Sequence, residues 1–425
     1  MCIDDLKKNR KEKNMVKLDY LENKAIAVLG AGNVGKAIAS DCALSGNKVR
    51  ICDIEPFAQK TLFGVKKSGI KLYGQQLNLY GFERSGQAVF EKVVTDVAEA
   101  VKGADIVIIA TPAFGHHSFF EKLIPALEDG MFIHIIPDNY GSLELRKMMR
   151  EAGCAKKVII GGWSSSPYGS RVDIKGGVIL PTGIRVYYRA ITLRGASLPS
   201  NDQEEFLESA KYIGAFDAIN NGDGVVGGNT VLDIGFSNVN PVLHCPGTIL
   251  GVGTMENWGV IYGEDKYQYS IYSHAYCPSI SEVQYAFYQE ECALAEAMGV
   301  GIQSFEKKQF FSRENILGPE YMGKDYEIPF EQQDPIQYGT GPFTIKNRYI
   351  TEDIPVGCHI YHELGKKFNV KTPIIDSMIN IASVMSKTDY YKKGYTLDYL
   401  GIGHMTKEEI LKYLHEGIYI EKKKK

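Results

Sequence analysis

His244 is the only basic side chain in a long apolar and glycine-rich interval of the sequence. It lies in the segment Asn-Pro-Val-Leu-His-Cys-Pro at residues 240–246, and the interval from Tyr212 to Asp265 contains no lysine or arginine. Imidazole titrates near neutral pH, so it can donate and accept a proton during catalysis. His244 is therefore the candidate acid–base group of this interval. The alternative is a histidine that is satisfied in the core or caps a helix.

A second group of charged residues lies at residues 346–355, which read Lys-Asn-Arg-Tyr-Ile-Thr-Glu-Asp-Ile-Pro. An arginine followed by two acids and a proline is typical of a helix that begins behind a polar cap. In that interpretation Thr351 or Asp353 is the N-cap and Pro355 lies inside the helix. The residues alone leave open whether Arg348 and Asp353 also have a chemical role.

A glycine-rich turn near the start of the chain has the spacing of a dinucleotide-binding loop. The apolar run Ala25–Leu29 leads directly into six loop residues, and a helical pattern follows at once. The first glycine would permit a tight turn, the second would let the backbone approach a pyrophosphate, and the third would let helix and strand pack closely. The loop residues expected at the cofactor are Gly30, Ala31, Gly32, Asn33, Val34 and Gly35.

Asp53 lies at the end of the next predicted strand, eighteen residues after Gly35. An acid at this position would bond the ribose hydroxyls of the cofactor, and its charge would repel a 2′-phosphate. The sequence therefore predicts NAD(H) as the cofactor, preferred over NADP(H).

The strand at Ile106–Ala110 ends in a turn that we expect to pass beneath the nicotinamide ring. Ala110, Thr111 and Pro112 form this turn at the carboxyl edge of the predicted sheet, where ligands of this fold class bind. Two histidines follow directly. His117 is the preferred candidate for a substrate contact, and the alternative is a polar helix start on the surface.

The elements that must position these residues follow a βαβ pattern, which predicts a parallel sheet. The strands are expected at Ala25–Leu29, Lys48–Cys52, Val93–Val94, Ile106–Ala110, Phe132–Ile136, Val158–Ile160 and Ile184–Leu193. The helices are expected at Gly35–Ser45, Val97–Val101, Ser118–Leu127, Ser142–Arg150 and Asp202–Ile213.

Strand signals fade after about residue 220, and helical signals replace them. Ser279 and Glu282 have the spacing of a capping box for a helix through Met298 that stops at Gly299, and Thr406 has the same spacing with Glu409. Pro373 is expected to begin a helix through Met385. The predicted fold class is α/β, with an N-terminal Rossmann domain at 24–220 and a mostly helical C-terminal domain at 221–425. Residues 1–23 form a charged N-terminal extension.

Composition limits the classes of protein and partner. A chain of 425 residues is expected to form two domains. A net charge of −3 gives no electrostatic basis for binding nucleic acid or an anionic membrane. The eight cysteines include no C-x-x-C pair, which argues against a zinc site or disulfide framework and favours a reducing compartment. With no secretory signal or long apolar run either, we expect a cytoplasmic protein with no bound metal.

Three motifs in this order resemble the opine dehydrogenases, a family that includes the octopine and nopaline enzymes. They are the Gly-Ala-Gly-Asn-Val-Gly loop, the segment around His244 and the segment from Arg348 to Pro355, and the resemblance extends from about Lys24 to His415. It implies a nicotinamide-dependent reductive condensation of an amino acid with a 2-oxo acid. It also implies a Rossmann domain, a helical domain and small-molecule substrates bound in the cleft between them.

Carried over to this sequence, the resemblance makes His244 the catalytic acid/base, Asp353 the carboxylate that orients it and Arg348 the group that holds the oxo-acid carboxylate. These residue types suit those roles, because a carboxylate fixes the tautomer of an imidazole and a guanidinium binds a carboxylate with two hydrogen bonds. The resemblance assigns no role to the N-terminal extension or to the loop at residues 71–84. It leaves the amino-acid substrate and the oligomeric state open, with a homodimer as one candidate.

Two other interpretations compete with this one. A ketopantoate-reductase-like or hydroxyacid dehydrogenase would act on a C=O bond, and those families resemble one another in using a lysine in the first long helix of the second domain. The absence of lysine between Tyr212 and Asp265 argues against them. A non-catalytic NAD-sensing protein would not need His244, Arg348 and Asp353 together.

Overall fold

A computed structural model describes residues 24–74, 84–175, 178–190, 192–216, 225–263, 265–312 and 339–421. The N-terminal extension and most of the loop at 71–84 lie outside these residues. The chain divides into two compact units. The first comprises the chain up to Pro137, Met148–Ser197 and Asp202–Gly227, and the second comprises Asp138–Lys147, Leu198–Asn201 and the chain from Gly228 onward. The first unit thus runs seven residues past the expected boundary, and two short segments within 24–220 belong to the second.

Twelve strands are found in the described part of the first unit. They are β1 (Ala25–Leu29), β2 (Lys48–Cys52), β3 (Ile70–Gly74), β4 (Gly86–Ala88), β5 (Lys92–Val94), β6 (Ile106–Ile109), β7 (Phe132–Ile135), β8 (Ile159–Trp163), β9 (Tyr168–Lys175), β10 (Val178–Arg189), β11 (Leu193–Ser197) and β12 (Val225–Gly227). Eight of them form a sheet in the order β12-β11-β8-β7-β6-β1-β2-β5, in which only the β8–β11 pair is antiparallel. This parallel sheet confirms the predicted Rossmann-type fold, and β1 and β2 have the predicted bounds.

The remaining four strands form a second sheet that the sequence did not predict. Its order is β4-β3-β10-β9, with β3 and β10 parallel and the other two pairs antiparallel. The predicted strand at Ile184–Leu193 is split between β10 and β11. β9 and β10 mix buried, half-buried and exposed positions and contain polar and charged residues, so these strands lack the continuous apolar run that identified β1 and β6. β12, after residue 220, was also not predicted.

A buried charge cluster fastens the second sheet to the helix after the glycine loop. The carboxylate of Asp41 is fully buried and accepts hydrogen bonds from Arg84 Nε at 2.6 Å, from Arg189 Nη1 at 2.9 Å and from the Tyr168 hydroxyl. Burial alone would raise the pKa of Asp41, but Arg189 and Arg84 hold it well below its usual range. A buried carboxylate that loses such partners is strongly destabilising, so these contacts fix the sheet in place.

Sixteen α-helices, several of a single turn, lie within the described residues. They are α1 (Asn33–Leu44), α2 (Ala58–Thr61), α3 (Val65–Ser68), α4 (Val97–Val101), α5 (Ala113–Leu123), α6 (Gly141–Glu151), α7 (Gln203–Ser209), α8 (Val231–Phe236), α9 (Asn240–Leu250), α10 (Val252–Tyr262), α11 (Pro278–Met298), α12 (Arg348–Thr351), α13 (His359–Phe368), α14 (Pro373–Ser386), α15 (Tyr390–Lys393) and α16 (Lys407–Glu416). Those after residue 228 confirm the mostly helical second half. In the described part of the chain, no helix is long and apolar enough to cross a membrane.

The helix-end signals of the second half were only partly correct. Thr406 forms the predicted capping box with Glu409, and Gly299 ends α11 in the left-handed conformation. The capping box predicted at Ser279 is wrong, because α11 begins at Pro278 behind Cys277. Proline is favoured in the first turn of a helix, and here it places the start one residue ahead of the serine.

Candidate active site

The three glycines of the nucleotide loop have different surroundings in the first unit. Gly30 has φ +99°, and a Cβ there would lie 2.6 Å from Thr111 Cγ2. A Cβ on Gly35 would lie 1.8 Å from the carbonyl oxygen of Gly30. A Cβ on Gly32 would meet none of the described atoms within 4 Å. Gly30 and Gly35 are therefore required by packing, whereas Gly32 faces open space in which a phosphate can approach the backbone.

Helix α1 presents its N-terminus to this space. Its N-cap is Gly32, and among the described residues no side chain caps the helix and no acid lies in its first turn. The first amide groups of a helix have no intrahelical partner and attract anions. The side chain of Asn33 is used elsewhere, because its Oδ1 accepts the backbone N–H of Val172 in β9 at 2.9 Å.

Asp53 is fixed beside the loop at the end of β2. Its Oδ2 accepts the N–H of Ala31 at 3.2 Å and the hydroxyl of Thr61 at 2.7 Å, and its Oδ1 accepts the N–H of Ile54 at 2.9 Å. The buried side chain of Lys36 donates to the carbonyl of Thr61. Burial lowers the pKa of Lys36 to about 8, against the opposing charge of Asp53. Lys36 was not singled out from the sequence, although it directly follows Gly35.

The turn after β6 lies against the glycine loop. The nearest atoms to a Cβ on Gly30 belong to Ala110 and Thr111, and Pro112 precedes α5. With an uncapped helix start, an open position at Gly32 and an acid after β2, the loop has the features that a dinucleotide requires. These residues therefore fit a nicotinamide dinucleotide.

The two histidines after this turn lie inside α5, which begins at Ala113 and not at Ser118 as predicted. His116 is fully buried and its ring stacks on that of Phe120. His117 is half exposed, and its Nε2 lies 3.4 Å from a carboxylate oxygen of Glu121, one turn further along the helix. This pairing is typical of a surface histidine, and a substrate contact at His117 stays a prediction.

In the second unit, His244 is held by two hydrogen bonds and a stacked ring. It lies in α9, which begins at Asn240 with a proline in its first turn. Its Nδ1 is 2.7 Å from Oδ2 of Asp353, and its Nε2 is 2.9 Å from the hydroxyl oxygen of Tyr272. The ring of Tyr349 stacks on the imidazole with 3.6 Å between ring centroids. The residues implied by the resemblance, His244 and Asp353, thus come together, and both tyrosines were missed.

Asp353 and Tyr272 both lie in π-helical turns, Asp353–Cys358 and Ile271–Ala275. Such turns are rare and are frequently found at functional sites. The predicted cap at Thr351 or Asp353 is wrong, because the side chain of Asn347 accepts the N–H of Tyr349 and caps α12. Pro355, which has no N–H, lies within the π-helical turn that follows.

The pair of Asp353 and His244 is electrostatically suited to proton transfer. Burial raises the pKa of the Asp353 carboxyl, and the hydrogen bond and charge of His244 oppose that effect. An ionised carboxylate only accepts hydrogen bonds, so His244 Nδ1 carries a proton and Nε2 is the nitrogen that can exchange one. A neighbouring carboxylate of this kind also stabilises the imidazolium.

Arg348 is held by the buried carboxylate of Glu352. Its Nε donates to Oε2 of Glu352 at 2.6 Å, and Glu352 is 2% exposed whereas the Arg348 side chain is 55% exposed. Oε1 of Glu352 accepts from the amide of Asn139 at 3.2 Å, and Asn139 accepts from Asn238 at 2.8 Å. Because Glu352 engages Nε, the two terminal nitrogens of the guanidinium can still donate a parallel pair of hydrogen bonds to a carboxylate.

No group of three or more metal-ligating side chains occurs among the residues that the structure describes. Of the residues that sequence reasoning missed, Tyr349 and Glu352 belong to the motif at 346–355, so the motif itself could have identified them as candidates. Tyr272 and Asn139 lie in no recognised motif, whereas Asn238 lies in the glycine- and asparagine-rich interval around His244, whose composition suggests close approach of the backbone to a ligand.

Both halves of the chain match models of known protein families. Residues 228–386 match the family model "NAD/NADP octopine/nopaline dehydrogenase, alpha-helical domain". Residues 25–137 match the model "NADP oxidoreductase coenzyme F420-dependent". An opine dehydrogenase of Arthrobacter sp. (strain 1C) is 30% identical over 391 residues, which cover 91% of this chain and 97% of that protein.

Solved structures share the fold. An octopine dehydrogenase complex with NADH and pyruvate is 16% identical, with a TM-score of 0.64 over 92% of this chain and 98% of the other. A ketopantoate reductase from Ralstonia eutropha JMP134 is 15% identical, with a TM-score of 0.53 over 85% and 98% of the two chains. At these identities the structures show the fold alone, and it is the match to the Arthrobacter enzyme along nearly the whole chain that establishes the family: the protein belongs to the opine dehydrogenases and is an NAD(P)-dependent oxidoreductase.

Proposed function

We propose that this enzyme uses NADH to join the α-amine of an amino acid to a 2-oxo acid such as pyruvate, forming a secondary-amine dicarboxylate. The observation that carries the proposal is the contact between His244 and Asp353, in a segment that also holds Arg348 five residues before the aspartate. These are the residue types that the reaction requires, in a domain that matches the family model.

Each of the three residues has one task in the proposed reaction. Arg348 binds the carboxylate of the oxo acid, so that its keto carbon is held for attack by the amine. The amine and the keto group condense to an imine with loss of water. When bound, the reduced nicotinamide supplies a hydride to the imine carbon. His244 is the source of the proton that the imine nitrogen takes up, and Asp353 holds the imidazole in the required tautomer.

The reaction is tested by its requirement for two substrates. NADH oxidation is measured with pyruvate alone, with an amino acid alone and with both, and the product is identified by mass spectrometry. We expect oxidation only in the complete mixture, with a product mass equal to the two substrates joined with loss of water and gain of two hydrogens. Formation of a 2-hydroxy acid from pyruvate alone would contradict the proposal. A screen of the twenty amino acids with pyruvate identifies the amine.

Asp53 supports a preference for NADH. Its fixed carboxylate beside Ala31 would lie against a 2′-phosphate, and close like charges cost several kcal/mol. We expect kcat/KM for NADH to exceed that for NADPH by at least about tenfold. Asp53→Ala should narrow this ratio, whereas Asp96→Ala, which removes an exposed helix-capping carboxylate of the same unit, should not. Equal kcat/KM for both cofactors in the unmodified enzyme would rule the preference out.

A further inference from the structure

We propose that Tyr272 is a catalytic residue whose hydroxyl carries the proton between His244 and the substrate nitrogen. The inference rests on the proposed imine reduction and adds a group that the family motifs do not include. Tyr272 lies in the turn Ile271–Ala275, outside every segment that the sequence singled out.

The hydrogen bonds of His244 leave one route for the proton. Nδ1 is bonded to Asp353 at 2.7 Å, so only Nε2 can exchange a proton with a substrate. Nε2 is in turn bonded to the hydroxyl oxygen of Tyr272 at 2.9 Å. The ring of Tyr349 lies parallel to the imidazole within 10° and covers one of its faces. A proton that leaves Nε2 along its hydrogen bond therefore arrives at Tyr272.

The Tyr272 hydroxyl has the capacity to pass the proton onward. A phenol can donate one hydrogen bond while it accepts another. The hydroxyl oxygen also lies 3.4 Å from that of Tyr349, so it is turned toward a second polar atom in addition to His244. The side chain is held in this position by its burial and by an edge-to-face contact with the ring of Tyr276. These contacts favour a fixed relay over a side chain that swings away when substrate binds.

The proposed step transfers two protons and one hydride. The hydride forms the new C–H bond at the imine carbon, and the π electrons of the C=N bond form an N–H bond with the proton of the Tyr272 hydroxyl. At the same time the Tyr272 oxygen takes the proton from Nε2 of the imidazolium. Tyr272 ends as a neutral phenol, His244 ends neutral with its proton on Nδ1, and the product is a secondary amine.

The test compares Tyr272→Phe with Tyr288→Phe, which makes the same chemical change at another buried tyrosine of the second unit and removes a hydrogen bond to the carbonyl of Gln303. Turnover is measured with pyruvate and the amino acid that the unmodified enzyme accepts best. We expect Tyr272→Phe to lower kcat about 100-fold with KM for the oxo acid changed little, since loss of a general acid or base is worth about 10²–10⁴. Tyr288→Phe should keep kcat within about twofold while it lowers the unfolding temperature.

A second measurement separates a relay from a structural role. The rate is measured in mixtures of H2O and D2O and plotted against the deuterium fraction. For the unmodified enzyme the plot should be curved, as expected when two protons move in the same step. For the residual activity of Tyr272→Phe it should be linear, as expected when one proton moves. If Tyr272→Phe does not fold, 3-fluorotyrosine at position 272 keeps the hydroxyl, lowers its pKa and should shift the pH dependence of kcat.

Three results would overturn the relay: a near-normal kcat in folded Tyr272→Phe, a single-proton dependence in the unmodified enzyme, or an unchanged pH dependence with 3-fluorotyrosine. Failure of the proposed function is seen separately, as the absence of a secondary-amine product from the unmodified enzyme.

Discussion

Two histidine–aspartate pairs occur among the described residues of the second unit, and their N–O distances are the same. His244 Nδ1 lies 2.7 Å from Oδ2 of Asp353, and His362 Nδ1 lies 2.7 Å from Oδ1 of Asp376. The pairs differ in how the partners are brought together. His362 and Asp376 lie fourteen residues apart on the consecutive helices α13 and α14, whereas 109 residues separate His244 from Asp353. The contact between His362 and Asp376 forms as soon as two consecutive helices pack together. The contact between His244 and Asp353 forms only when segments far apart in the chain have folded together.

The surroundings of the two pairs differ further. The Asp353 side chain is 12% exposed and that of Asp376 is 36% exposed. Asp376 shares its bonded oxygen with the hydroxyl of Thr372 at 3.3 Å and borders an open cavity of about 420 Å³. His244 instead has a stacked tyrosine and a phenol on its second nitrogen. A short His–Asp distance therefore identifies a bonded pair, and what sets His244 apart is its burial and the second hydrogen bond at its other nitrogen.

The largest expected difference between the pairs is in turnover. His244→Ala should lower kcat by about 10²–10⁴, the usual contribution of general acid–base catalysis. His362→Ala should keep kcat within about twofold, because that pair joins two helices. Both are measured with NADH, pyruvate and the preferred amino acid, and unfolding temperatures are recorded on the same preparations. Near-normal kcat in folded His244→Ala would end the catalytic assignment.

Asp353→Asn should lower turnover while it changes the pH dependence of the unfolding temperature. An amide can hold the wrong imidazole tautomer, so kcat should fall, by about 10-fold or more. Because burial raises the pKa of Asp353, the folded protein binds more protons than the unfolded chain above the ordinary pKa of 3.8. Ionisation of Asp353 thus costs stability as the pH rises through this region.

The unfolding temperature of Asp353→Asn relative to the unmodified enzyme should accordingly increase as the pH is raised from below 3.8. Thermal unfolding at several pH values measures the trend, and Asp376→Asn is the matched control. If the difference in unfolding temperature between Asp353→Asn and the unmodified enzyme does not vary with pH, burial does not raise the pKa of the Asp353 carboxyl.

Arg348→Lys should affect binding more than turnover. Lysine keeps the charge but cannot form two parallel hydrogen bonds, so KM for the oxo acid should rise about tenfold, with KM for NADH unchanged. Arg50→Lys is the control, since Arg50 also bonds a glutamate through Nε, at 2.7 Å, in the first unit. A rise in KM for NADH that equals the rise for the oxo acid would point to general disruption.

His117→Ala should have the smallest effect. If His117 contacts substrate, KM for one substrate should rise by a few-fold with kcat unchanged. Its exposed pair with Glu121 contributes little stability, because such pairs are worth about 0–1 kcal/mol. Glu121→Ala removes the partner alone and should leave both KM values unchanged. Unaltered KM values in His117→Ala would leave His117 as a surface residue.

Sequence patterns were informative where one physical cause dominates. Buried parallel strands favour continuous apolar runs, so β1, which reads Ala-Ile-Ala-Val-Leu, was predicted to the residue. β2 was also predicted to the residue, although its sequence Lys-Val-Arg-Ile-Cys is not continuously apolar. The half-exposed β9 and β10 have mixed composition and were missed or misplaced. His244, Arg348 and Asp353 lie in recognisable motifs. Tyr272 could not be predicted, because its place depends on a π-helical turn and a contact across 28 residues, which leave no local pattern.

Asn33 gives the glycine loop a second property that constrains protein engineering. A common way to alter cofactor preference is to graft the loop of another dehydrogenase, keeping only the glycines. Here the residue after Gly32 bonds the backbone of Val172 in β9 through its side chain, and its carbonyl accepts the hydroxyl of Ser170 at 3.2 Å. A graft without asparagine at this position would lose the side-chain hydrogen bond to the edge strand of the second sheet. A loop exchange that keeps this contact therefore retains Asn33 together with the three glycines.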